Sequence, residues 1–162
     1  MKVVSTRVGV GFDAHRLTRG RKLVLGGETI EYERGLEGHS DADALMHALT
    51  DALLGAVAAP DIGSLFPSGD PQWKGASSQL FLEKAREVVQ EQGFRPQQVD
   101  VIVIAEAPKL SAYLPSIRAR LSAILGIPED AVGLKATTTD GMGFIGRGEG
   151  IAVQAVVTVT SS

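Results

Sequence analysis

The chain has 162 residues, a net charge of −3 and no cysteine. The length predicts one domain, residues 1–162, large enough to bury a core. Without a basic block it is not expected to bind nucleic acid by charge, and without cysteine it has no disulfide or thiolate metal site. No apolar run approaches the ~20 residues that span a bilayer. Because the N-terminus lacks a signal-like apolar region, we expect a cytoplasmic protein without a membrane partner.

Residues 3–12 alternate weakly between apolar and small side chains and predict a first strand. Asp13 and His15 follow at its expected end. Residues i and i+2 of an extended chain face the same side, so these two side chains can contact one ligand together. Alone, the pair could equally begin a polar loop. Residues 22–25 and 28–32, around two glycines, predict a hairpin.

A central helix is predicted to begin at Ser40 or Asp41, both good N-cap residues, and to end by Pro60. Its apolar residues recur at steps of three and four and predict one buried stripe. The stripe consists of Leu45, Met46, Leu49, Leu53 and Leu54.

A second face of this helix is polar, with Asp43, His47 and Asp51 at i, i+4 and i+8. His39 precedes the helix, where backbone N–H groups and the helix dipole favour anions. This helix therefore offers a possible metal ligand and a possible phosphate site. Ordinary capping by the acids and a satisfied core histidine are the alternatives. Asp51 could orient a ligand histidine, or serve only a salt bridge or the helix surface.

The rest of the chain alternates helices, strands and glycine-rich loops. A loop at 61–70 is followed by a helix capped by Ser77 or Ser78, with Gly93 past its end and five residues on its buried face: Leu80, Phe81, Ala85, Val88 and Val89. Next we predict a strand at 99–105 and a helix at 113–125 closed by Gly126. The last elements are a strand at 132–139, a glycine-rich segment at 141–150 and a strand at 151–160. This order indicates an α+β fold, with one mixed β-sheet and helices packed on one face. The glycine-rich segment is neither a Walker loop nor a Rossmann fingerprint.

The only three histidines of the chain stand at positions 15, 39 and 47. Asp13, His15 and His47 would supply one oxygen and two nitrogens. Three ligands with an open fourth position are typical of catalytic zinc, and the mixture also suits manganese or cobalt. Thr137–Thr139 and Asp140 add hydroxyls and a carboxylate at a strand end, where Mg²⁺ bridging phosphates is natural. These groups indicate phosphoryl chemistry.

Five stretches of the chain resemble one family. They occur in the family's order and at the family's spacings, and together they cover essentially the whole chain. They are Gly11-Phe-Asp-Ala-His15, His39-Ser-Asp-Ala-Asp43 with His47-Ala-Leu-Thr-Asp51, Asp61-Ile-Gly-Ser-Leu-Phe-Pro67, Ala107-Pro-Lys109, and Lys135 to Ala152. The chain resembles 2-C-methyl-D-erythritol 2,4-cyclodiphosphate synthase. The resemblance implies a lyase of the non-mevalonate isoprenoid pathway, which converts 4-diphosphocytidyl-2-C-methyl-D-erythritol 2-phosphate to 2-C-methyl-D-erythritol 2,4-cyclodiphosphate and releases CMP.

The resemblance also implies roles for individual residues. Zinc would be bound by Asp13, His15 and His47, and Asp13 and His15 would also contact the substrate. His39 and Ser40 would hold the 2-phosphate, and His39 and Thr138 would stabilise charge in the transition state. The methylerythritol unit would meet Asp61, Ile62, Gly63, Phe66, Pro67, Ser68, Gly69 and Asp70. The cytosine would meet Ala105, Glu106, Ala107, Pro108, Lys109, Leu110 and Ser111. The diphosphate and its Mg²⁺ or Mn²⁺ would meet Thr137, Thr138, Thr139 and Asp140.

The family assembles as a homotrimer with each site shared between neighbouring subunits. The resemblance implies an axial pocket near Phe144, Arg147 and Glu149 that takes isoprenoid phosphates. Asp140 departs from the glutamate usual in the family, so we expect altered Mg²⁺ affinity. Two alternatives remain open: a metal-dependent phosphohydrolase with water as nucleophile, and a non-catalytic trimer that binds isoprenoid phosphates.

Overall fold

The computed structural model describes residues 3–162. Its strands are β1 (Thr6–Arg19), β2 (Leu23–Leu25), β3 (Glu28–Ile30), β4 (Arg34–Leu36), β5 (Phe94–Ile104), β6 (Val132–Thr137) and β7 (Gly150–Ser161). Five of them form one sheet in the order β4-β1-β7-β5-β6, while β2 and β3 form the predicted hairpin. β7 is antiparallel to both β1 and β5, and β5 is parallel to β6. The ends of β1, β5 and β6 therefore meet at one edge of the sheet.

The helices are α1 (Ala44–Ala56), α2 (Ile62–Leu65), α3 (Gln79–Glu91), α4 (Leu114–Leu125) and α5 (Gly143–Gly146), with 3-10 turns at Pro71–Trp73 and Glu129–Ala131. α1 packs on β1 and β7, α3 packs on α1 and β5, and α4 packs on β6. The buried core lies between these helices and one face of the sheet. The α+β fold with a mixed sheet is therefore confirmed. Between residues 3 and 162, no helix is long and apolar enough to cross a membrane.

Two glycines of β1 allow α1 to lie directly on the strand. A Cβ atom on Gly9 would stand 1.8 Å from the carbonyl oxygen of Ala52, and one on Gly11 would stand 1.8 Å from that of Ala48. The next residue on this face of the strand is Asp13, which therefore meets His47, one residue before Ala48 on α1. The missing side chains thus set the distance between the strand and the helix that carry the candidate metal ligands.

We expect Gly11→Ala to destabilise the fold, because its methyl group collides with helix backbone that cannot rotate away. Overpacking a well-filled core costs about 1–3 kcal/mol, and we expect a loss near ~3 kcal/mol in urea unfolding. Gly69→Ala is the control, since a Cβ atom at Gly69 meets nothing within 4 Å, and its effect should stay within about 0.5 kcal/mol. Equal stabilities of the two variants would mean that α1 does not press on Gly11.

Among residues 3–162, no helix covers the opposite face of the sheet. On β1 it carries three large apolar side chains at alternate positions, Val8, Val10 and Phe12, which are 61%, 59% and 59% exposed. Ile102 and Ile104 of β5 continue this face and are half-buried. Contiguous apolar patches of this kind mark interaction surfaces.

Two element boundaries near the candidate metal ligands differ from the sequence predictions, and one strand there was not predicted. β1 does not end before Asp13 and His15 but continues to Arg19, because it pairs with β7 as far as Arg16 and then with β4. The short strand β4 was not predicted. α1 begins at Ala44, later than predicted from Ser40 and Asp41, because Asp43 is the N-cap and accepts the N–H of Met46 at 3.0 Å.

Other differences are smaller. The predicted loop at 61–70 contains the short helix α2, and the glycine-rich segment contains α5. β5 begins at Phe94, five residues earlier than predicted, because its pairing with β7 extends past Pro96 through an irregular register. β6 ends at Thr137, so Thr138 and Thr139 lie beyond it. On α3, Leu80 is 37% exposed, whereas Phe81, Ala85 and Val89 are buried as predicted.

Candidate metal centre and substrate site

Asp13, His15 and His47 converge on one point, as predicted from their chemistry as a set of three metal ligands. Their candidate ligand atoms all lie within 4.8 Å of one another. Asp13 Oδ2 is 2.7 Å from His15 Nε2 and 3.1 Å from His47 Nδ1. The three side chains are 14–25% exposed, so they are held by the fold yet open to a ligand.

Hydrogen bonds determine the direction in which the pKa values of Asp13 and His15 shift. Burial alone would raise the pKa of Asp13, but the hydrogen bond from His15 and the adjacent His47 ring outweigh it and hold that pKa below its ordinary value. Burial alone would lower the pKa of His15, but the bond to Asp13 outweighs it and raises that pKa. His15 Nδ1 donates to the carbonyl of Glu37 at 2.7 Å, which leaves Nε2 for a cation once its proton is lost.

The centre opens into a cleft of about 260 Å³ between α1, α3 and the 61–73 segment. The predicted site residues that line it are Asp13, His15, His39, Ser40, His47, Ile62, Gly63, Phe66 and Ser68. Two more lining residues, Trp73 and Phe81, pack with Phe66 as an aromatic wall. The sequence interpretation missed Trp73. It predicted correctly that Phe81 is buried, but did not assign Phe81 to the site.

The segment that carries His39 is fixed from two sides. Arg21 donates to the carbonyl oxygens of Gly38 at 2.8 Å and Ser40 at 2.9 Å. His39 Nε2 donates to the carbonyl of Asp70 at 3.1 Å, since a carbonyl oxygen only accepts. The opposite nitrogen of His39 is therefore the one free to face a ligand. Sequence reasoning missed Arg21, which lies 17 residues away from Gly38 along the chain.

Several predicted acidic residues serve the backbone rather than the cleft. Asp51 accepts the N–H of Ile62 at 2.8 Å and so anchors α2, instead of bonding to a ligand histidine. Asp61 caps α2 through Ser64 at 2.9 Å, and Asp70 caps the 3-10 turn through Gln72 at 3.1 Å. The segment around the cleft is thus shaped by three carboxylates.

Asp43 is a buried structural carboxyl group rather than a ligand. It is 1% exposed and accepts N–H groups from Met46, Gly26 and Gly27 at 2.8–3.0 Å. Burial raises the pKa of Asp43 to about 6, against the opposing effect of these bonds. It ties the hairpin turn to the start of α1.

A second cavity, of about 270 Å³, lies where β5 and β6 end. The predicted cytosine and diphosphate residues that line it are Ala105, Glu106, Pro108, Lys109, Leu110, Ser111, Thr137 and Thr138. Ala107, Thr139 and Asp140 are outside its lining. Glu106 accepts N–H groups from Thr139 at 3.2 Å and Gly141 at 2.6 Å, so its carboxyl group fixes the loop that carries Asp140.

The two cavities stand apart on the sheet. Asp13, Val153, Val103 and Ala136 form one row across neighbouring strands. The metal centre and the 137–140 loop are therefore at the same edge, three strand spacings or roughly 14 Å apart. The cavities share no lining residue. One chain does not bring the two halves of the predicted site into contact.

A third, smaller cavity touches Phe144 and Glu149 together with Ala14 and Arg16. Arg147 is not part of its lining and instead donates to Glu149, at 3.2 and 3.3 Å. The predicted axial residues thus lie near one another.

Comparison with known proteins decides the family. A model described as the YgbB family matches residues 6–160. The 2-C-methyl-D-erythritol 2,4-cyclodiphosphate synthase of Moorella thermoacetica is 54% identical over 151 residues, which cover 93% of each chain. The chain belongs to the cyclodiphosphate synthase family.

Solved structures of cyclodiphosphate synthases agree with the fold. A CDP-bound synthase superposes with a TM-score of 0.86 at 40% identity and covers 93% of this chain and 98% of its own. The bifunctional IspDF of Campylobacter jejuni gives a TM-score of 0.95 at 39% identity. This chain covers 43% of that bifunctional protein, so it corresponds to only part of it.

The donor set of the cyclodiphosphate synthase fold in this chain fits a divalent cation. One carboxylate and two imidazoles are ligands that zinc, manganese and cobalt accept. Each histidine bonds through its other nitrogen to a protein oxygen, His15 to Glu37 and His47 to Ser78. Metal-binding histidines are typically oriented in this way.

Proposed function

We propose that the chain catalyses the family's ring closure, converting 4-diphosphocytidyl-2-C-methyl-D-erythritol 2-phosphate to the 2,4-cyclodiphosphate and CMP. The observation that carries the proposal is the Asp13, His15 and His47 cluster at the base of a cleft lined by His39. The full-length similarity to cyclodiphosphate synthases supports the same reaction.

The chemistry needs little from a protein base. A phosphate monoester has a second pKa of about 6, so the 2-phosphate is already a nucleophile at neutral pH. Its oxygen forms a bond to the β-phosphorus, and the bond from that phosphorus to the oxygen bridging to the α-phosphate breaks. CMP leaves with the bridging oxygen and its electron pair. The main barrier is the approach of two anions, which calls for positioning and charge stabilisation.

The cleft supplies both the positioning and the charge stabilisation. His39 Nε2–H is committed to Asp70, so Nδ1 is the nitrogen that can meet the 2-phosphate, and it donates to that anion in the imidazolium form, in which both ring nitrogens carry protons. Ile62 and Gly63, held by Asp51, and the aromatic wall at Phe66 form a surface against which the methylerythritol unit can lie.

Asp13, His15 and His47 are the residues that would hold zinc, manganese or cobalt. Such an ion supplies Lewis-acid polarisation of a phosphoryl oxygen. In the other half of the site, Thr138 and Asp140 would hold Mg²⁺ or Mn²⁺ at the diphosphate, since hydroxyl and carboxylate oxygens suit a hard cation. The Thr138 hydroxyl lies 3.4 Å from Asp140 Oδ1, and Glu106 keeps this loop in place.

The proposal includes a homotrimer with sites between subunits. The uncovered face with Val8, Val10 and Phe12 needs a partner, and a second copy of the chain is the one we propose. Assembly would also bring the metal centre of one subunit to the 137–140 loop of another. An isoprenoid phosphate near Phe144 is part of the proposal and is supported only by the cavity there.

The direct test is ³¹P NMR of the purified protein with the cytidylylated substrate and Mg²⁺, before and after zinc chelation. Coupled cyclic diphosphate signals with CMP, lost on chelation and restored by Zn²⁺, are expected. Release of inorganic phosphate would instead identify a phosphohydrolase. A spectrum that never changes would leave a protein that only binds isoprenoid phosphates.

Asp140→Glu should lower the Mg²⁺ concentration required for half-maximal activity by about 2- to 10-fold, our estimate for one added methylene at a water-rich Mg²⁺ site. Asp140 has a positive φ of 53°, which Glu adopts less readily than Asp, so a small loss of stability is expected as well. The measurement is initial CMP release across a Mg²⁺ titration. An unchanged titration curve would show that the shorter side chain is not what limits Mg²⁺ binding.

A further inference from the structure

The ring of His47 has a different partner at each nitrogen. Nδ1 points to Asp13 Oδ2 at 3.1 Å, on the side of the metal centre. Nε2 points away from it, to Ser78 Oγ at 2.8 Å. The Ser40 hydroxyl is also near Nε2, at 3.3 Å. The Ser78 hydroxyl is therefore the nearer of the two partners of Nε2.

Asp41 orients that hydroxyl. One carboxylate oxygen of Asp41 accepts the backbone N–H of Ser78 at 3.0 Å, and the other accepts the Ser78 hydroxyl through a short hydrogen bond. An ionised carboxyl group accepts but does not donate. The Ser78 proton therefore points to Asp41, and its oxygen lone pairs face His47. Ser78 is fully buried, so water does not compete for these contacts.

The position of Ser78 in α3 supports a dedicated use of its hydroxyl. Ser78 is the N-cap residue of α3, and N-cap serines normally accept a backbone N–H of the first turn. Ser78 makes no such side-chain bond. Its hydroxyl is instead committed to Asp41 and His47, so the chain forgoes a helix cap at this position.

We propose that Asp41 and Ser78 are positioning residues that hold His47 in the Nε2–H tautomer and so present the Nδ1 lone pair to the cation. The proposal rests on the metal-dependent function proposed above. His15 is fixed in the opposite sense, because its Nδ1 donates to Glu37 and its Nε2 faces the centre. The two histidines thus use opposite nitrogens, each selected by a protein acceptor on the far side of its ring.

The Ser78 acceptor matters because Asp13 favours the Nδ1–H tautomer of His47, in which Nδ1 has no lone pair for the cation. In metal-free protein, the Asp13 carboxylate next to Nδ1 attracts a proton to that nitrogen. Without the Ser78 acceptor, the Nδ1–H form paired with Asp13 gains population, and an incoming cation must displace its proton. Removal of the Ser78 hydroxyl should therefore weaken cation binding even though all three ligands remain.

The test is Ser78→Ala, studied by ¹⁵N NMR of histidine-labelled metal-free protein, at a pH where His47 is neutral, and by zinc titration against a competing chelator. We expect Nε2–H for His47 in the wild type, a populated Nδ1–H form in the variant, and zinc binding weaker by about 10- to 100-fold. Ser77→Ala is the matched control, since Ser77 is the exposed neighbour, and both readouts should be unchanged in it.

Asp41→Asn provides an independent second variant. Its amide can donate to Ser78 Oγ, which would turn the hydroxyl proton towards His47 and shift the tautomer in the same direction although Ser78 is intact. Wild-type tautomer and wild-type zinc affinity in either folded variant would overturn the proposal. Neither readout uses substrate, so a wild-type protein that fails to form the cyclic product would refute the proposed function and leave this test standing.

Discussion

His47→Ala is expected to abolish both tight zinc binding and cyclic product formation. The variant removes one of three ligands from a cluster whose atoms lie within 4.8 Å of one another, and only Asp13 and His15 would remain. Loss of one outer hydrogen-bond partner weakens metal binding about 10- to 100-fold, so loss of a ligand should exceed that. Activity should fall by more than the ~10²–10³-fold expected for one lost charge-stabilising donor. Zinc content after dialysis and ³¹P NMR of product measure the two effects.

Asp51→Asn is the control for this prediction. Asp51 lies one turn from His47 on α1 and bonds to the Ile62 N–H at 2.8 Å, which an asparagine oxygen can also accept. Burial raises the pKa of Asp51 despite that bond, so its surroundings disfavour the charged form. Zinc content should match the wild type, with at most about a 10-fold loss of activity, our allowance for a disturbed α2. Losses equal to those of His47→Ala would place Asp51 among the groups that hold the cation.

The metal cluster was predictable because each part depends on local geometry. Strand alternation puts Asp13 and His15 on one side of the chain, and helix periodicity puts His47 on the face that borders the apolar stripe. Both hold in the structure, although Asp13 and His15 lie within β1 rather than at its end. The extra length of β1 depends on pairing with β7, more than 130 residues later, and no local pattern reports such pairing.

Ser78 and Asp41, which orient the candidate ligand His47, could not be predicted from the sequence for a related reason. Ser78 lies 31 residues from His47, and in the sequence it is indistinguishable from an ordinary helix cap. Asp41 was likewise interpreted as a cap of α1, whereas Asp43 has that role. Short polar side chains serve caps and sites equally well, so only the packing of α1 against α3 separates the two uses.

The arrangement of the two cavities depends on strand order, which the sequence order of the strands does not state. β7 and β5 stand between β1 and β6, so the metal centre and the 137–140 loop of one chain are roughly 14 Å apart. If the family reaction needs both at one substrate, two subunits must supply them. Mixed oligomers test this requirement directly.

Two inactive variants are expected to restore activity when they assemble together. His47→Ala damages the metal centre, and Thr138→Ala damages the diphosphate loop. In the proposed homotrimer with random 1:1 mixing, a site between neighbours is intact when the first subunit keeps His47 and the second keeps Thr138. Each condition holds half the time, so about one quarter of wild-type activity per site should return. The measurement is CMP release by the whole population of co-expressed oligomers, without selection for mixed ones.

The decisive control mixes His47→Ala with Asp13→Ala. Both variants damage the same centre, so every mixed site lacks a ligand and activity should stay at the level of either variant alone. If the His47→Ala and Thr138→Ala mixture is equally inactive while the oligomers form, each site must lie within one chain. The substrate would then have to span three strand spacings of a single sheet, and the exposed apolar face of β1 would need an explanation other than a shared active site.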